Sequence, residues 1–180
     1  MRKTIVMAAA AIFLCAVSAA AGGELVDTRV EKFGYAVAIP VEFFLDGTVS
    51  DTAAWTYLPD SSTVPPGPAL TIWVNRVQIQ TPGSRQLFDI NKKSDTDAAG
   101  APDAPIKDLT VLDIRGGYGY WYKESDKTDP AEIHRWVVKV FGNGGVYILC
   151  FSGPSAEFAA WEPVFERVIG SFTLIIGKAG

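Results

Sequence analysis

The chain reads as a mixed α and β domain, a sheet with helices packed on it. Three observations predict this. Short runs rich in β-branched and aromatic residues recur between Val26 and Ser152, punctuated by glycine and proline. Two of these runs, Ile133 to Phe141 and Gly145 to Ser152, flank Gly142-Asn143-Gly144, residues that accept the positive φ a tight hairpin demands. Near the C-terminus, Phe158, Trp161, Phe165, Val168 and Ile169 recur at helical spacing.

Residues 1–21 read as a cleavable signal peptide. Met1, Arg2 and Lys3 precede an apolar run from Thr4 through Val17, and small residues follow at Ser18-Ala19-Ala20-Ala21-Gly22-Gly23. The apolar run is about 14 residues, short of the roughly 20 that cross a bilayer. Ala19-Ala20-Ala21 sets the expected cleavage after Ala21. Cys15 raises lipidation as an alternative, but the residues before it are the bulky Phe13-Leu14. The expected mature chain, residues 22–180, is one domain working in the periplasm or outside the cell.

Losing the signal removes two of sixteen basic residues and no acid, so 14 basic and 20 acidic side chains leave a formal charge of −6. That balance argues against nucleic-acid binding, which needs a basic face to displace counterions. No second apolar stretch is long enough to span a membrane. Once Cys15 is gone, Cys150 stands alone in Tyr147-Ile148-Leu149-Cys150-Phe151, so no internal disulfide can form. Its apolar neighbours suit a buried strand thiol acting as a small hydrophobe.

The elements follow in order. Val26 to Val30 is a first strand, and Tyr35 to Ile39 a second, halted at Pro40. Ala53 to Leu58 and Leu70 to Gln80 pair around the proline-rich segment Ser61 to Pro68. In the latter, Leu70, Ile72 and Val74 share one face, while Val77 and Ile79 change phase, which predicts a bulge near Asn75-Arg76. A helix is expected from Ser84 to Lys93, then a loop from Ser94 to Pro105. Strands resume at Asp108 to Ile114 and Gly119 to Lys123, and the hairpin follows. Ser155 is the expected N-cap of the last helix, Pro163 the expected site of a kink or restart near Glu162, and Ser171 to Ile176 a closing strand.

Every catalytic scheme must work with one histidine, His134, which shares a strand face with Trp136, Val138 and Val140. No Gly-x-Ser-x-Gly elbow presents a serine to it. Asp95-Thr96-Asp97-Ala98-Ala99-Gly100 begins like a calcium loop, yet Ala99 and Ile106 stand where liganding residues belong. One histidine and one cysteine cannot build the usual zinc sites, and nothing calls for a cofactor. Asp103, Asp108, Asp113, Glu124, Asp126, Asp129 and Glu132 lie in loops and at strand ends, where paired carboxylates of a hydrolase would have to converge. Aromatic clustering is the more suggestive feature. Tyr118, Tyr120 and Tyr122 line one strand face, with Trp121 on the other. An antiparallel sheet can leave one face open, so these tyrosines are the candidate binding face.

Three stretches, in order, resemble the PsbP-like superfamily: Phe33-Gly34-Tyr35-Ala36-Val37-Ala38-Ile39-Pro40, the hairpin strand ending in Tyr147-Ile148-Leu149-Cys150-Phe151, and Phe165-Glu166-Arg167-Val168-Ile169-Gly170-Ser171-Phe172. The resemblance covers most of residues 24–177. It implies an α/β/α sandwich around a mostly antiparallel sheet, and a role in binding or assembly without a shared active site. No functional residue carries over with it. The expected function is a non-enzymatic accessory protein that binds a partner in the bacterial envelope. A carboxylate-based hydrolase and a calcium- or small-ligand-binding module stay open as alternatives.

Overall fold

The computed structural model describes residues 24–46, 54–58, 69–76, 83–100, 106–126 and 132–175. Strands β1 (Leu25–Val30) and β2 (Tyr35–Pro40) are joined by a single 3-10 turn, Glu31–Phe33, which Gly34 closes at φ 71°. That left-handed geometry is one a glycine adopts without strain. Three strands follow: β3 (Phe44–Asp46), β4 (Ala54–Leu58) and β5 (Ala69–Arg76). Helix α1 (Ser84–Ala99) leads into β6 (Ile106–Ile114), β7 (Gly117–Asp126), β8 (Ile133–Gly142) and β9 (Gly145–Pro154). Helix α2 (Ser155–Ser171) and the short β10 (Thr173–Leu174) complete the described chain.

The central sheet has seven strands in the order β3-β4-β5-β9-β8-β7-β6, and each neighbouring pair is antiparallel. A second antiparallel sheet, β1-β2-β10, lies beside helix α2. Strand periodicity then sorts the side chains into two cores. On one face Leu70, Ile72, Val74, Trp136, Val138, Val140, Tyr147, Leu149 and Phe151 pack against Tyr35 and Val37 of β2 and Phe158, Phe165 and Val168 of α2. On the other face α1 lays Phe88 over Tyr120, Tyr122, Val137 and Phe141. Helices thus cover both sides of an antiparallel sheet, the α+β sandwich that the sequence predicts.

The β8–β9 hairpin has the predicted turn. Asn143 at φ 48° and Gly144 at φ 64° form a two-residue connection between the paired Gly142 and Gly145, the conformation whose twist matches the strands. Several details depart from expectation. Helix α1 runs six residues past Lys93, so Ser94 to Ala99 is helix rather than loop. Lys93 pairs with Asp97 one turn on at 2.6 Å, a spacing that offsets a little of the weak helix propensity of Ser, Thr and Asp, and Thr96 donates to the Lys92 carbonyl at 2.7 Å. Pro154, not Ser155, is the N-cap of α2, and no side chain caps it. Pro163 lies inside one continuous α2, so the helix does not restart near Glu162; Phe158, Val164 and Phe165 on either side of it are buried in the core. The last strand is only Thr173–Leu174. Strand β5 keeps regular register through Arg76; Val77 and Ile79, on which the predicted bulge depends, lie outside the described residues.

Candidate functional site

Strand alternation places Tyr118, Tyr120 and Tyr122 on the α1 side of the sheet, and Trp121 on the α2 side, stacked on Trp136 with centroids 5.0 Å apart. The tyrosines do not make one open face. Tyr120 and Tyr122 are buried, and Tyr118 alone is exposed, at 39%. The cause is α1, whose apolar Phe88 sits 5.8 Å from both Tyr118 and Tyr120 and 5.9 Å from Phe141. Covering this apolar face removes it from water, and that outweighs the pull of two phenol groups toward solvent once a partner accepts the buried hydroxyl.

Asp95, on the last turns of α1, supplies such a partner. Its Oδ2 accepts the Tyr120 hydroxyl at 2.6 Å and the Lys139 ammonium at 2.7 Å. Lys139 also lies over the Tyr120 and Tyr122 rings, at 5.9 Å and 5.4 Å. Burial, with the Asp95 carboxylate next in effect, raises the pKa of both phenols above the usual tyrosine range. Both therefore stay protonated and act as packing and anchoring groups. The stretch Asp95 to Gly100, which began like a calcium loop, is helical through Ala99, and its first carboxylate is already held by Lys139 and Tyr120. Asp97 is engaged by Lys93.

At the solvent end of the tyrosine row the surface opens. The Arg85 guanidinium lies 5.2 Å from the Tyr118 ring centre and 5.5 Å from that of Phe88. Arg85 Nε donates to Asp89 at 3.0 Å, one turn along α1. The hydrogen bond to Asp89, and then its charge, hold the guanidinium pKa above its usual value. Across the β6–β7 ladder Tyr118 faces Asp113, and Tyr120 faces Val111, which is 53% exposed. Beyond them the outer side of β6 is the edge of the seven-stranded sheet among the described residues. Asp108, at φ 58°, marks an irregularity between Lys107 and Thr110, after which register is regular to Ile114. An aromatic ring, an arginine and an exposed β-branched residue beside an open strand edge form a surface of the composition that protein partners use.

His134 packs edge-on against Phe158 at 5.8 Å, and its Nε2 stands 3.7 Å from Glu132, beyond hydrogen-bonding distance. Cys150 is half-buried on the α1 side of β9, beside Val146 and Ile148 in the second core; burial pushes its thiol up to about 11 against the opposing pull of Arg135. Lys123 bridges β7 to Glu162 of α2 at 3.1 Å and lies over Trp136 at 4.7 Å. Asp103 and Asp129 lie outside the described residues. Among the described residues no cluster of three His, Cys, Asp or Glu side chains could hold a metal ion, and no helix is long and apolar enough to cross a membrane. The contact of Arg85 with Tyr118 is not readable in the sequence, since an exposed arginine on a helix carries no signal until the helix is docked.

Several solved structures share this architecture. The solution structure of cyanobacterial PsbP (CyanoP) from Synechocystis matches with a TM-score of 0.57 and 16% identity, over 83% of this chain and 92% of that one. The crystal structure of PA94 from Pseudomonas aeruginosa, a protein of unknown function, matches with a TM-score of 0.51 and 11% identity, over 88% of this chain and all of that one (100%). No family model and no curated protein matches the chain. At these identities the likeness is one of fold, and the PsbP-like α+β fold is the fold of this chain.

Proposed function

We propose that the chain is an exported accessory protein of the bacterial envelope that binds a protein partner and carries out no chemistry of its own. The observation that carries the reading is the surface at the open edge of the sheet, where Tyr118, Arg85 and Val111 stand beside the regular stretch of β6. An extended segment of a partner would add to β6 through main-chain hydrogen bonds, with its side chains against Val111 and the Tyr118–Arg85 pair. The part-buried Asp95–Lys139–Tyr120 contact holds α1 in place and so fixes where Arg85 stands over Tyr118. The signal-peptide pattern of residues 1–21 supports an envelope location, and the PsbP-like fold, which carries no functional residue with it, is compatible with a binding role.

The test is affinity capture with tagged residues 22–180 after crosslinking in the cell envelope. One reproducible protein should be recovered, with crosslinks on β6 and the first turns of α1. Val111→Asp together with Tyr118→Ala should lower its recovery at least roughly tenfold, the loss of one or two interface anchors. Equal recovery by that variant would refute the placement of the surface. Turnover of a small substrate, with no captured partner, would refute the reading as a whole.

A further inference from the structure

We infer that the chain carries an anion-binding pocket on the small sheet, taking a carboxylate or phosphate group between Arg29 and Arg115. The pocket measures about 320 Å³ and is lined by Arg29, Ala36, Arg115, Thr173, Leu174 and Ile175. It goes beyond the partner-binding surface and uses none of that surface's residues.

The register of the small sheet builds its floor. Arg29 pairs with Ala36 across β1 and β2, and Ala36 pairs with Thr173 across β2 and β10. Residues directly opposite in antiparallel strands share a face, so Arg29, Ala36 and Thr173 form one row. Tyr35 and Val37 point the other way, into the core. Ala36, with its single methyl group, leaves the middle of the row low, between the guanidinium of Arg29 and the hydroxyl of Thr173. The end of the floor is tied down: Ile175 N–H donates to the Gly34 carbonyl at 2.8 Å, and Asn143 Nδ2 donates to the Ile175 carbonyl at 2.9 Å.

Arg115 comes from elsewhere in the chain. It is the first of two residues linking β6 to β7, and Gly116 beside it takes φ 84°. The paired Ile114 and Gly117 close that connection, so Arg115 is carried on a short tip rather than a long loop. It is exposed, and no ion pair engages it among the described residues. Arg29 bonds Glu31 through its Nε alone, which leaves four of the five guanidinium N–H donors for another acceptor. Among the described residues Glu31 is the one carboxylate paired with the pocket's arginines, and it bonds Arg29.

Two guanidiniums on one concave surface repel each other until an anion lies between them. Planar forks of this kind match the oxygen spacing of carboxylate and phosphate. A bound anion would also join β1, β10 and the β6–β7 turn, three segments far apart in sequence. A ligand that binds only the folded chain must therefore raise its melting temperature.

The experiment compares thermal melts of the protein in sodium phosphate, sodium succinate and sodium chloride at matched ionic strength. A saturating anion at about thirty times its Kd should raise Tm by roughly 4–8 °C over chloride. A rise with phosphate alone identifies a phosphate-bearing ligand, and a rise with succinate alone a carboxylate. Arg115→Gln and Arg29→Gln should each weaken binding roughly tenfold, and Arg115→Lys should recover part of it by keeping charge without the fork. Lys93→Gln, on the exposed side of α1, serves as the control and should bind as the unaltered chain does. No rise with either anion, or an equal rise in both arginine variants and the control, would overturn the pocket.

Discussion

Removing the Asp95 carboxylate is the sharpest test of how α1 is held on the sheet. Asp95 and Lys139 are 16% and 17% exposed as side chains, so the pair is mostly out of water. Asp95→Ala leaves the Lys139 ammonium with no counter-charge, and the buried Tyr120 hydroxyl with no acceptor, among the described residues. Breaking a buried pair costs ~3–5 kcal/mol. The residual exposure lets Lys139 turn toward water and places the cost near ~2–3 kcal/mol, to which the orphaned phenol adds about 1 kcal/mol. A loss of ~3–4 kcal/mol would lower Tm by roughly 6–16 °C for a chain of this size. Urea unfolding followed by tryptophan fluorescence measures it. Lys139→Met alone should cost about 2–3 kcal/mol by stranding the carboxylate. The double variant should cost at least about 1 kcal/mol less than the sum, the coupling expected of residues in contact. If Asp95→Ala stays within about 0.5 kcal/mol of the unaltered chain, or the two changes simply add, the pair does not anchor α1.

Other outcomes follow from single positions. Cys150, raised from 9.0 to about 11, should alkylate roughly 100-fold more slowly at pH 8 in the folded chain than in urea, since thiolate fraction falls tenfold per pKa unit. Because the unfolded thiol ionises first, its contribution to stability is whole below about pH 9 and is lost between about pH 9 and 11; a rise in stability over that range would refute the burial argument. At Gly117, a Cβ would lie 2.7 Å from the Phe141 carbonyl oxygen and 2.7 Å from Leu174 Cδ1. Gly117→Ala should therefore cost ~1–3 kcal/mol, whereas at Gly83, which has nothing within 4 Å, the change should stay within about 0.5 kcal/mol. Millimolar calcium should leave Tm unchanged, because Asp95 and Asp97 are engaged by lysines within and beneath a helix; a clear rise would restore the calcium-binding alternative.

Much of the fold was legible because strand and turn signals are local. Asn143-Gly144 can take positive φ whatever surrounds it, so the β8–β9 hairpin was readable from its turn residues. Apolar alternation likewise assigned Leu70, Ile72 and Val74 to one face of their strand, and Trp136, Val138 and Val140 to one face of theirs, and both sets lie together in the main core. The three-residue β3 went unseen, being too short for any period to register. The end of α1 was misread for a related reason. Ser94 to Ala99 is rich in residues of weak helix propensity, and besides its local pair it is tied to the sheet by Lys139 and Tyr120, which bond Asp95 from two strands.

The candidate site divides along the same line. Period-two spacing determined that Tyr118, Tyr120 and Tyr122 share a face and that Trp121 opposes them, since side chains alternate along any strand. Which of the three meets solvent was decided only when α1 docked and Phe88 and Asp95 covered Tyr120 and Tyr122. The convergence of Arg29 and Arg115, 86 positions apart in the chain, was likewise beyond any sequence pattern, because it depends on the register of β1 against β2 and the placement of the β6–β7 turn. Local stereochemistry is written in neighbouring residues, whereas a surface is defined by what packs against it, and that is a property of the whole chain.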